Sequence, residues 1–214
     1  MKISLTRVLA FLTATFAFHV GDGYAQEAPD VLIKRVSEEV LAIAKTDKQI
    51  QAGNQERIME VVRAKVLPHV NFQRMTQLTA GRYWREATPE QQQSLTNEFK
   101  ALLIYTYAGA VAQIRNQTLE FKPMRAAPDD TEVEVRTAVI QSRGEPIQLN
   151  YRLEKGPTGW KIVDVNILGA WLVQTYRNSF AAEIQKGGID GLIKTLAERN
   201  KQLSANPPKP VLKS

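Results

Sequence analysis

The chain up to about residue 116 carries apolar residues at helical spacing and predicts helices. Three shorter helices are predicted around residues 31–44, 58–66 and 72–78, and Gly81 ends the third. The clearest helix begins at Thr88, because Thr88, Pro89 and Gln91 form a capping-box pattern. Its apolar stripe consists of Leu95, Phe99, Leu102, Leu103, Thr106 and Ala110. Tyr105, Ala108 and Ala112 widen this stripe toward the end of the helix, so we expect the end to be buried or to face a cavity.

After residue 116 the apolar period changes to two, which predicts β-strands. Four strands are expected around residues 119–123, 133–139, 147–153 and 160–168. The turns between them are short and carry Pro128-Asp129-Asp130, Gly144 and Gly156-Pro157, which is typical of an antiparallel meander. The fourth strand is apolar on both faces near Val163, so we expect it to be central or covered on both sides.

Two further helices close the chain, one over residues 172–184 and one over residues 189–203, with Gly187-Gly188 between them. Strands that are segregated from helices in this way predict an α+β fold. We expect a curved antiparallel sheet of about four strands covered by helices, with an N-terminal helical segment. A curved sheet under a helical lid forms a cone, which suits an apolar cavity that opens at one end.

The first 25 residues have the pattern of a secretory signal peptide. Lys2 and Arg7 precede an apolar run from Val8 to Phe18, and Gly23-Tyr24-Ala25 provides the small residues that precede cleavage. The apolar run is shorter than the roughly 20 residues that cross a bilayer. We therefore predict a signal peptide at 1–25, one α+β domain at 26–204 and a disordered tail at 205–214. An exported protein is the expected result, and an uncleaved anchor is the alternative.

Composition excludes several classes of function. The formal charge is +6, and the lysines and arginines are scattered rather than clustered, which argues against a nucleic-acid partner. There is no cysteine, and only His69 follows the predicted cleavage site, so thiol chemistry and sites with two histidine ligands are excluded. No nucleotide-binding loop is visible. We therefore expect a protein without a catalytic site, a metal or a cofactor.

Two features favour a lined cavity over a solid core. The predicted strands carry medium-sized valines and leucines, with few aromatic side chains to fill a cone. The facing helix carries small residues between 106 and 112, where a packed core prefers bulk. Core packing remains an equally good interpretation of each stripe. A cavity of this kind would take an apolar ligand, since a lipid chain gains about 0.8 kcal/mol for each buried methylene.

Four stretches in this order resemble the MlaC family of periplasmic phospholipid shuttles, also called toluene-tolerance proteins. They read GRYWREATPEQ (81–91), LLIYTYA (102–108), GWKIVDVNILGAWLVQTYRNSF (159–180) and GGIDGLIKTL (187–196). The resemblance covers roughly residues 30 to 203. One departure is Gly169-Ala170-Trp171-Leu172, where the family often has Gly-Val-Ser-Leu, and the larger Trp171 is expected at a pocket rim or an interface.

The resemblance implies a carrier that binds phospholipid as cargo, with its acyl chains between sheet and helices. It also implies two membrane partners, an ABC-type lipid transport complex in the inner membrane and a lipoprotein–porin complex in the outer membrane. The residues that we expect to line the cavity come from the long helix, the strands and the late helix. They are Leu102, Leu103, Thr106, Ala110, Val133, Val135, Val139, Leu149, Tyr151, Val163, Val165, Leu172 and Tyr176.

Arg177 is the candidate headgroup residue, since its cation and the Tyr176 hydroxyl are placed to meet a phosphate at the mouth. A structural salt bridge is an equally good interpretation of this arginine. Two alternatives to a carrier remain open. One is a secreted small-molecule enzyme, such as an isomerase or dehydratase, in which a buried Asp164 acts as the base. The other is an adaptor protein with a solid core.

Overall fold

A computed structural model describes residues 26–127 and 129–206. The predicted signal peptide, Pro128 of the first predicted turn and residues 207–214 of the predicted tail lie outside the described residues. The helices are α1 (Pro29–Thr46), α2 (Lys48–Gln51), α3 (Gln55–Lys65), α4 (Phe72–Ala80), α5 (Pro89–Tyr107) and α6 (Leu172–Ala205). Three 3-10 segments lie at Leu67–His69, Gly81–Arg85 and Ala108–Gln113. The strands are β1 (Thr118–Phe121), β2 (Glu132–Ile140), β3 (Ile147–Gly156), β4 (Gly159–Ile167) and β5 (Ala170–Trp171).

The strands form one antiparallel sheet in the order β1-β2-β3-β4-β5. The α+β fold and the meander are therefore confirmed, and the sheet has five strands where about four were predicted. The additional strand is the two-residue β5, which pairs back onto the end of β4. It was missed because two residues are too few to show a period of two.

A β-bulge in β4 explains why this strand is apolar on both faces. Arg152 of β3 lies opposite Asp164, and Leu153 lies opposite Ile162, which leaves Val163 as an extra residue in β4. The extra residue shifts the alternation, so Ile162 and Val165 lie on the same face although they are three positions apart. Both of them pack against apolar residues of α1 and the neighbouring strands.

The long helix α5 begins as predicted and ends earlier. The Gln91 backbone N–H donates to Thr88 Oγ1 at 3.3 Å, and the Thr88 backbone N–H donates to Gln91 Oε1 at 3.0 Å, which confirms the capping box. The helix ends at Tyr107, and residues 108–113 form a 3-10 segment. The predicted continuation of one helical stripe to Ala110 is therefore wrong. Gly109 contributes to this early end, because glycine has a low helix propensity.

Two closing helices were predicted, and α6 contains both of them within one run of 34 residues. The run is interrupted at Gly188, whose φ of 70° and ψ of −173° are not helical. A positive φ of this kind is readily adopted by glycine and costs other residues free energy. The predicted boundary at Gly187-Gly188 thus becomes a kink rather than a loop.

The buried apolar residues form three separate clusters instead of one core. The helical cluster joins α4, α5 and α6 around Phe99, Leu102 and Phe180. The sheet cluster packs Leu32, Ile33 and Val36 of α1 against Val133, Val135, Leu153 and Ile162. The N-terminal cluster contains Ala44, Ile50, Ile58, Val61, Val62 and Ala108. Most domains of this size have one contiguous core, so the space where these three clusters meet is the natural place to look for a site.

Candidate functional site

An apolar cleft of about 220 Å³ lies where the three clusters meet. Its walls come from the end of α3 and the segment after it, from α4, from the end of α5, and from β4 and the start of α6. The lining residues are Val62, Val66, Leu67, Val70, Phe72, Met75, Leu103, Ile104, Tyr107, Ala108, Val111, Val165, Ile167 and Leu172.

Local backbone features bring these side chains together. The chain leaves α3 through the 3-10 segment Leu67–His69, which is held to the sheet because the Asn71 backbone N–H donates to the Ile162 carbonyl at 2.9 Å. The bulge at Val163 sets the alternation that directs Val165 and Ile167 to the cleft. The early end of α5 places Ala108 and Val111 in the wall.

The cleft is almost free of polar chemistry. Among the described lining residues, the Tyr107 hydroxyl is the only polar side-chain group. Burial raises the pKa of Tyr107, and the nearby Tyr176 hydroxyl raises it further, so this phenol stays neutral across the biological pH range. An uncharged wall of aliphatic and aromatic groups favours an apolar ligand, because a charged ligand would lose its hydration without gaining a partner.

A second pocket, of about 320 Å³, lies beside the cleft. The 3-10 segment Ala108–Gln113 contributes Ala108 and Val111 to the cleft and Ala110 and Ala112 to this pocket. Arg115 anchors the segment, since its guanidinium donates to the carbonyls of Ala112 at 2.8 Å, Ile114 at 2.7 Å and Gln51 at 3.1 Å. The second pocket has a more polar lining than the cleft, with Gln113, Gln117 and Gln141 in its wall.

The residues predicted to line the cavity lie in several places. Leu103, Val165 and Leu172 line the apolar cleft, and Ala110 and Val139 line the second pocket. The remaining predicted residues lie in the clusters and the sheet around these two spaces: Leu102 and Tyr176 in the helical cluster, Val133, Val135 and Tyr151 in the sheet cluster, Thr106 within α5, Leu149 in β3 and Val163 at the bulge.

Two of these residues, Thr106 and Leu149, form hydrogen bonds within the protein. The Thr106 hydroxyl donates to the Leu102 carbonyl at 2.7 Å, one turn back in α5. The Leu149 carbonyl accepts a hydrogen bond from the Thr137 hydroxyl of the neighbouring strand. Both contacts lie within or between secondary-structure elements and need no ligand.

The cleft wall formed by residues 62–75 was not predicted from the sequence. Val62, Val66 and Val70 carry the right chemistry, and Pro68 marks the end of the helix between them. Apolar residues at helical spacing do not reveal which of them face a neighbouring helix and which face a void. Only the separation of the clusters in the folded chain distinguishes the two.

Tyr176 and Arg177 point to different surroundings. The Tyr176 ring meets Phe99 edge-on, with 5.2 Å between ring centroids and an interplanar angle of 71°, so it belongs to the helical cluster. The exposed Arg177 donates to the Leu78 carbonyl at 2.8 Å. It forms no ion pair with a carboxylate within residues 26–127 and 129–206, although its positive charge is near enough to oppose the burial that raises the pKa of Asp164.

Asp164 is 1% exposed and caps α6. Its Oδ1 accepts from the backbone N–H of Val165 at 2.8 Å and of Val173 at 3.0 Å, and Val173 is the second residue of α6. The Arg152 guanidinium lies 3.8 Å from Oδ2. Burial is the main cause that raises the pKa of Asp164, and the two backbone N–H groups oppose it. Asp164 is not among the residues that line the cleft. Its hydrogen bonds support a structural role and not the role of a catalytic base.

The described part of the chain offers neither a membrane-spanning helix nor a metal site. Between residues 26 and 206, Pro128 apart, no helix combines the length and apolar character that a membrane crossing requires. The same residues contain no group of three histidine, aspartate or glutamate side chains close enough to hold a metal ion. The apolar cleft is therefore the best candidate site among the described residues.

Comparisons with known proteins agree on one family. The family model "MlaC protein" matches residues 34–198. The Haemophilus influenzae protein named intermembrane phospholipid transport system binding protein MlaC is 23% identical over 198 residues, which cover 91% of this chain and 92% of that protein. The toluene tolerance protein ttg2D of Pseudomonas putida is 26% identical over 216 residues and covers 98% of both chains.

A solved structure adds a fold comparison. A phospholipid-binding protein of Ralstonia solanacearum, determined in complex with a phospholipid, is 49% identical and superposes with a TM-score of 0.77, covering 82% of this chain and 98% of its own. The family model spans more than half of the chain, and the relatives are matched over nearly their full length. The chain therefore belongs to the MlaC protein family.

Proposed function

We propose that this protein is a phospholipid-binding transport protein that holds acyl chains in the apolar cleft and in the space that opens from it. The observation that carries the proposal is the uncharged cleft at the meeting point of three separate apolar clusters. The Ralstonia solanacearum relative, which binds a phospholipid and is 49% identical, supports the same ligand class.

Acyl chains alone supply enough energy for firm binding. Each buried methylene contributes about 0.8 kcal/mol, so a single chain of ordinary length gains on the order of 10 kcal/mol before the costs of ordering. Contacts to the headgroup are not needed for this energy. Spontaneous release from such a site is slow, so delivery of the cargo depends on a partner or a surface that opens the cleft.

The cleft must widen to take its cargo. Its volume of about 220 Å³ lies below the roughly 300–1,000 Å³ of pockets that bind small molecules, and a phospholipid is larger than most of these. The walls belong to three different clusters, so they can separate without breaking the interior of any of them. The second pocket beyond the segment Ala108–Gln113 supplies further volume if that segment moves.

The finer part of the proposal concerns location and route. We place the protein in the periplasm, exported by the predicted signal peptide 1–25. It would carry phospholipid between an outer-membrane lipoprotein–porin complex and an inner-membrane ABC-type transport complex. The Haemophilus influenzae relative, named for an intermembrane phospholipid transport system, supports this assignment. Binding and release need no chemical step, so no catalytic residue is assigned.

Native mass spectrometry of the exported protein, with organic extraction of the same sample, tests the proposal. We expect phospholipid at near-stoichiometric occupancy. Leu103→Trp and Val165→Trp place an indole in the cleft, and Val31→Trp adds the same ring at a residue that is 51% exposed. If the indole excludes about three methylenes, the binding free energy falls by about 2.4 kcal/mol, so the affinity falls by about sixtyfold.

Two cleft variants are used so that the test survives if one of them fails to fold. Leu103 is buried, whereas Val165 is only half-buried and should tolerate a larger side chain better. Circular dichroism establishes that each variant is folded before its occupancy is compared with that of Val31→Trp. Full occupancy in both folded cleft variants would place the lipid elsewhere. A protein without extractable lipid that takes up none from vesicles would remove the carrier function altogether.

A further inference from the structure

Leu168 combines two unfavourable features. It is the only non-glycine residue of the described chain with a positive φ, at 54°. It is also one of two large apolar residues in that part of the chain that are exposed, at 57%. A bulky residue in the left-handed region is an outlier, and exposure of its side chain gives no burial energy in return.

The turn that holds Leu168 is well ordered by its hydrogen bonds. Ile167 pairs with Ala170 across the hairpin between β4 and β5, and the two residues at its tip have φ values of 54° and 89°, the pattern of a type I′ turn. The Leu168 backbone N–H donates to the Gln148 carbonyl at 3.1 Å. Asn-Gly is the preferred pair at such a tip, so leucine in place of asparagine is a cost that folding does not explain.

The hairpin stands at the edge of the apolar cleft. Ile167, directly before the tip, and Leu172, directly after β5, both line the cleft. The apolar residues that flank the hairpin tip on both sides are therefore also residues of the cleft wall. Trp171 lies beside the tip, and the Arg152 guanidinium sits 4.5 Å from the centroid of its ring.

We propose that the β4–β5 hairpin is a membrane-contacting tip, in which Leu168 inserts into the surface of a phospholipid bilayer and brings the mouth of the cleft against the lipid. This inference rests on the proposed carrier function and names the surface that the carrier visits. Leucine, tryptophan and arginine together are the side chains that anchor proteins at membrane interfaces. Arg177 forms no ion pair with a carboxylate among the described residues. The net charge of +6 becomes +5 once the predicted signal peptide, with Lys2, Arg7 and Asp22, is removed. Both features favour an anionic lipid surface.

The contact between the Leu168 tip and the bilayer is expected to be weak and short-lived. Burying one leucine side chain changes a binding constant by about one power of ten, which is too little for stable anchoring. A carrier that must leave the membrane with its cargo requires a contact of this strength. The hydrogen bonds of the turn fix the backbone that presents the Leu168 side chain to solvent.

The variant Leu168→Asn should weaken membrane insertion of the tip without lowering the stability of the protein. Asparagine suits the left-handed position better than leucine, so the variant is expected to unfold at the same or a higher temperature. Leu168→Phe keeps an apolar tip, and Val31→Gln removes the other exposed apolar side chain as a matched control. The probes are vesicles of phosphatidylethanolamine and phosphatidylglycerol that contain a fluorescent phospholipid. Stopped-flow fluorescence measures its transfer to the protein, and flotation measures the bound protein.

We expect Leu168→Asn to lose about tenfold in vesicle affinity and a similar factor in transfer rate, while Leu168→Phe and Val31→Gln behave as the wild type. The final lipid occupancy, measured by mass spectrometry, stays unchanged in all of them. An unchanged vesicle affinity and rate in Leu168→Asn would overturn the inference. So would normal vesicle transfer combined with failure to exchange lipid with a purified membrane complex, because the tip would then dock to a protein.

The two proposals fail in different ways. If the protein carries no lipid, the occupancy is zero in the wild type and in every variant, and the proposed function fails. If the tip does not touch membranes, occupancy is normal and the four proteins float with vesicles to the same extent. The flotation assay needs no bound cargo and therefore reads the tip alone.

Discussion

Replacing Asp164 separates its role as a helix cap from a role as a catalytic base. Asp164→Asn keeps an oxygen that can accept from the backbone N–H groups of Val165 and Val173, whereas Asp164→Ala removes the acceptor. Both substitutions remove a carboxylate, so an enzyme that used Asp164 as its base would lose turnover in each. Only the alanine variant loses the cap of α6.

The expected loss in the free energy of unfolding follows from the burial of the two N–H donors. A buried N–H without a partner costs about 1–3 kcal/mol, and loss of a helix cap costs about 0.5–2 kcal/mol. The Val173 donor is buried and the Val165 donor is half-buried, so water replaces at most one of the lost bonds. We expect Asp164→Ala to lower the free energy of unfolding by about 2–4 kcal/mol. Asp164→Asn should stay within about 1 kcal/mol of the wild type, since it keeps the acceptor oxygen. The attraction of the lost charge to the helix dipole and to Arg152 is offset by the cost of burying that charge, which is lost with it.

The contribution of Asp164 to the stability of the folded protein should fall as the pH rises. Burial raises the pKa of Asp164 in the folded protein above its value of about 3.9 in an unfolded chain. The folded state therefore holds this proton more tightly, and the stabilisation is fully present below pH ~3.9. It is lost as the pH rises through the folded pKa. Relative to Asp164→Asn, which does not titrate, the wild type should become less stable over this pH range.

Urea unfolding followed by circular dichroism at several pH values measures these differences. Lipid occupancy, measured on the same samples, should be retained in Asp164→Asn. Equal destabilisation by asparagine and alanine would refute the capping argument, because the retained oxygen would then have no effect. A stability difference between wild type and Asp164→Asn that grows in favour of the wild type with rising pH would refute the argument from burial.

Three other substitutions test the elements that support the cleft, each by urea unfolding. Thr88→Ala removes the cap of α5 and should cost about 1 kcal/mol, while Thr88→Ser should cost little; equal losses would show that the hydroxyl is not the stabilising group. Gly188→Ala should cost about 1–2 kcal/mol through its positive φ alone, since an added Cβ meets no atom within 4 Å, and an unchanged stability would mean that the kink is not needed. Phe99→Ala should cost about 3–5 kcal/mol, because Phe99 is fully buried between Tyr176 and Phe180; a loss below 1 kcal/mol would contradict the packing of the helical cluster.

The sequence predicted the elements of the fold well because they leave local signals. The capping box at Thr88, the helix boundary at Gly187-Gly188 and the alternation in β2 and β3 each depend on a few neighbouring residues. The capping box and the alternation are present in the structure, and the boundary is present as a kink. The two-residue β5 and the bulge at Val163 were not predicted, because they arise from pairing between strands rather than from the local pattern.

The cleft was harder to predict than the fold. A leucine that packs against a helix and one that faces a void obey the same periodicity, so Leu102 and Leu103 could not be told apart in sequence. The wall after α3 was missed for the same reason. The membership of the family, by contrast, followed from motif order, and the family model and the relatives confirm it.

The division of the interior into three clusters has a consequence for the lifetime of the protein among proteases. A lipid in the cleft joins the clusters into one continuous interior, and a ligand that binds only the folded state adds about 2.7 kcal/mol at a concentration a hundredfold above its dissociation constant. Local opening exposes the polypeptide to cleavage. The segment Leu67–His69 lies between two clusters at the wall of the cleft, so we expect proteases to cut the empty protein there first. We therefore expect an idle molecule to be degraded before a loaded one, so that the pool of carrier follows the supply of its cargo.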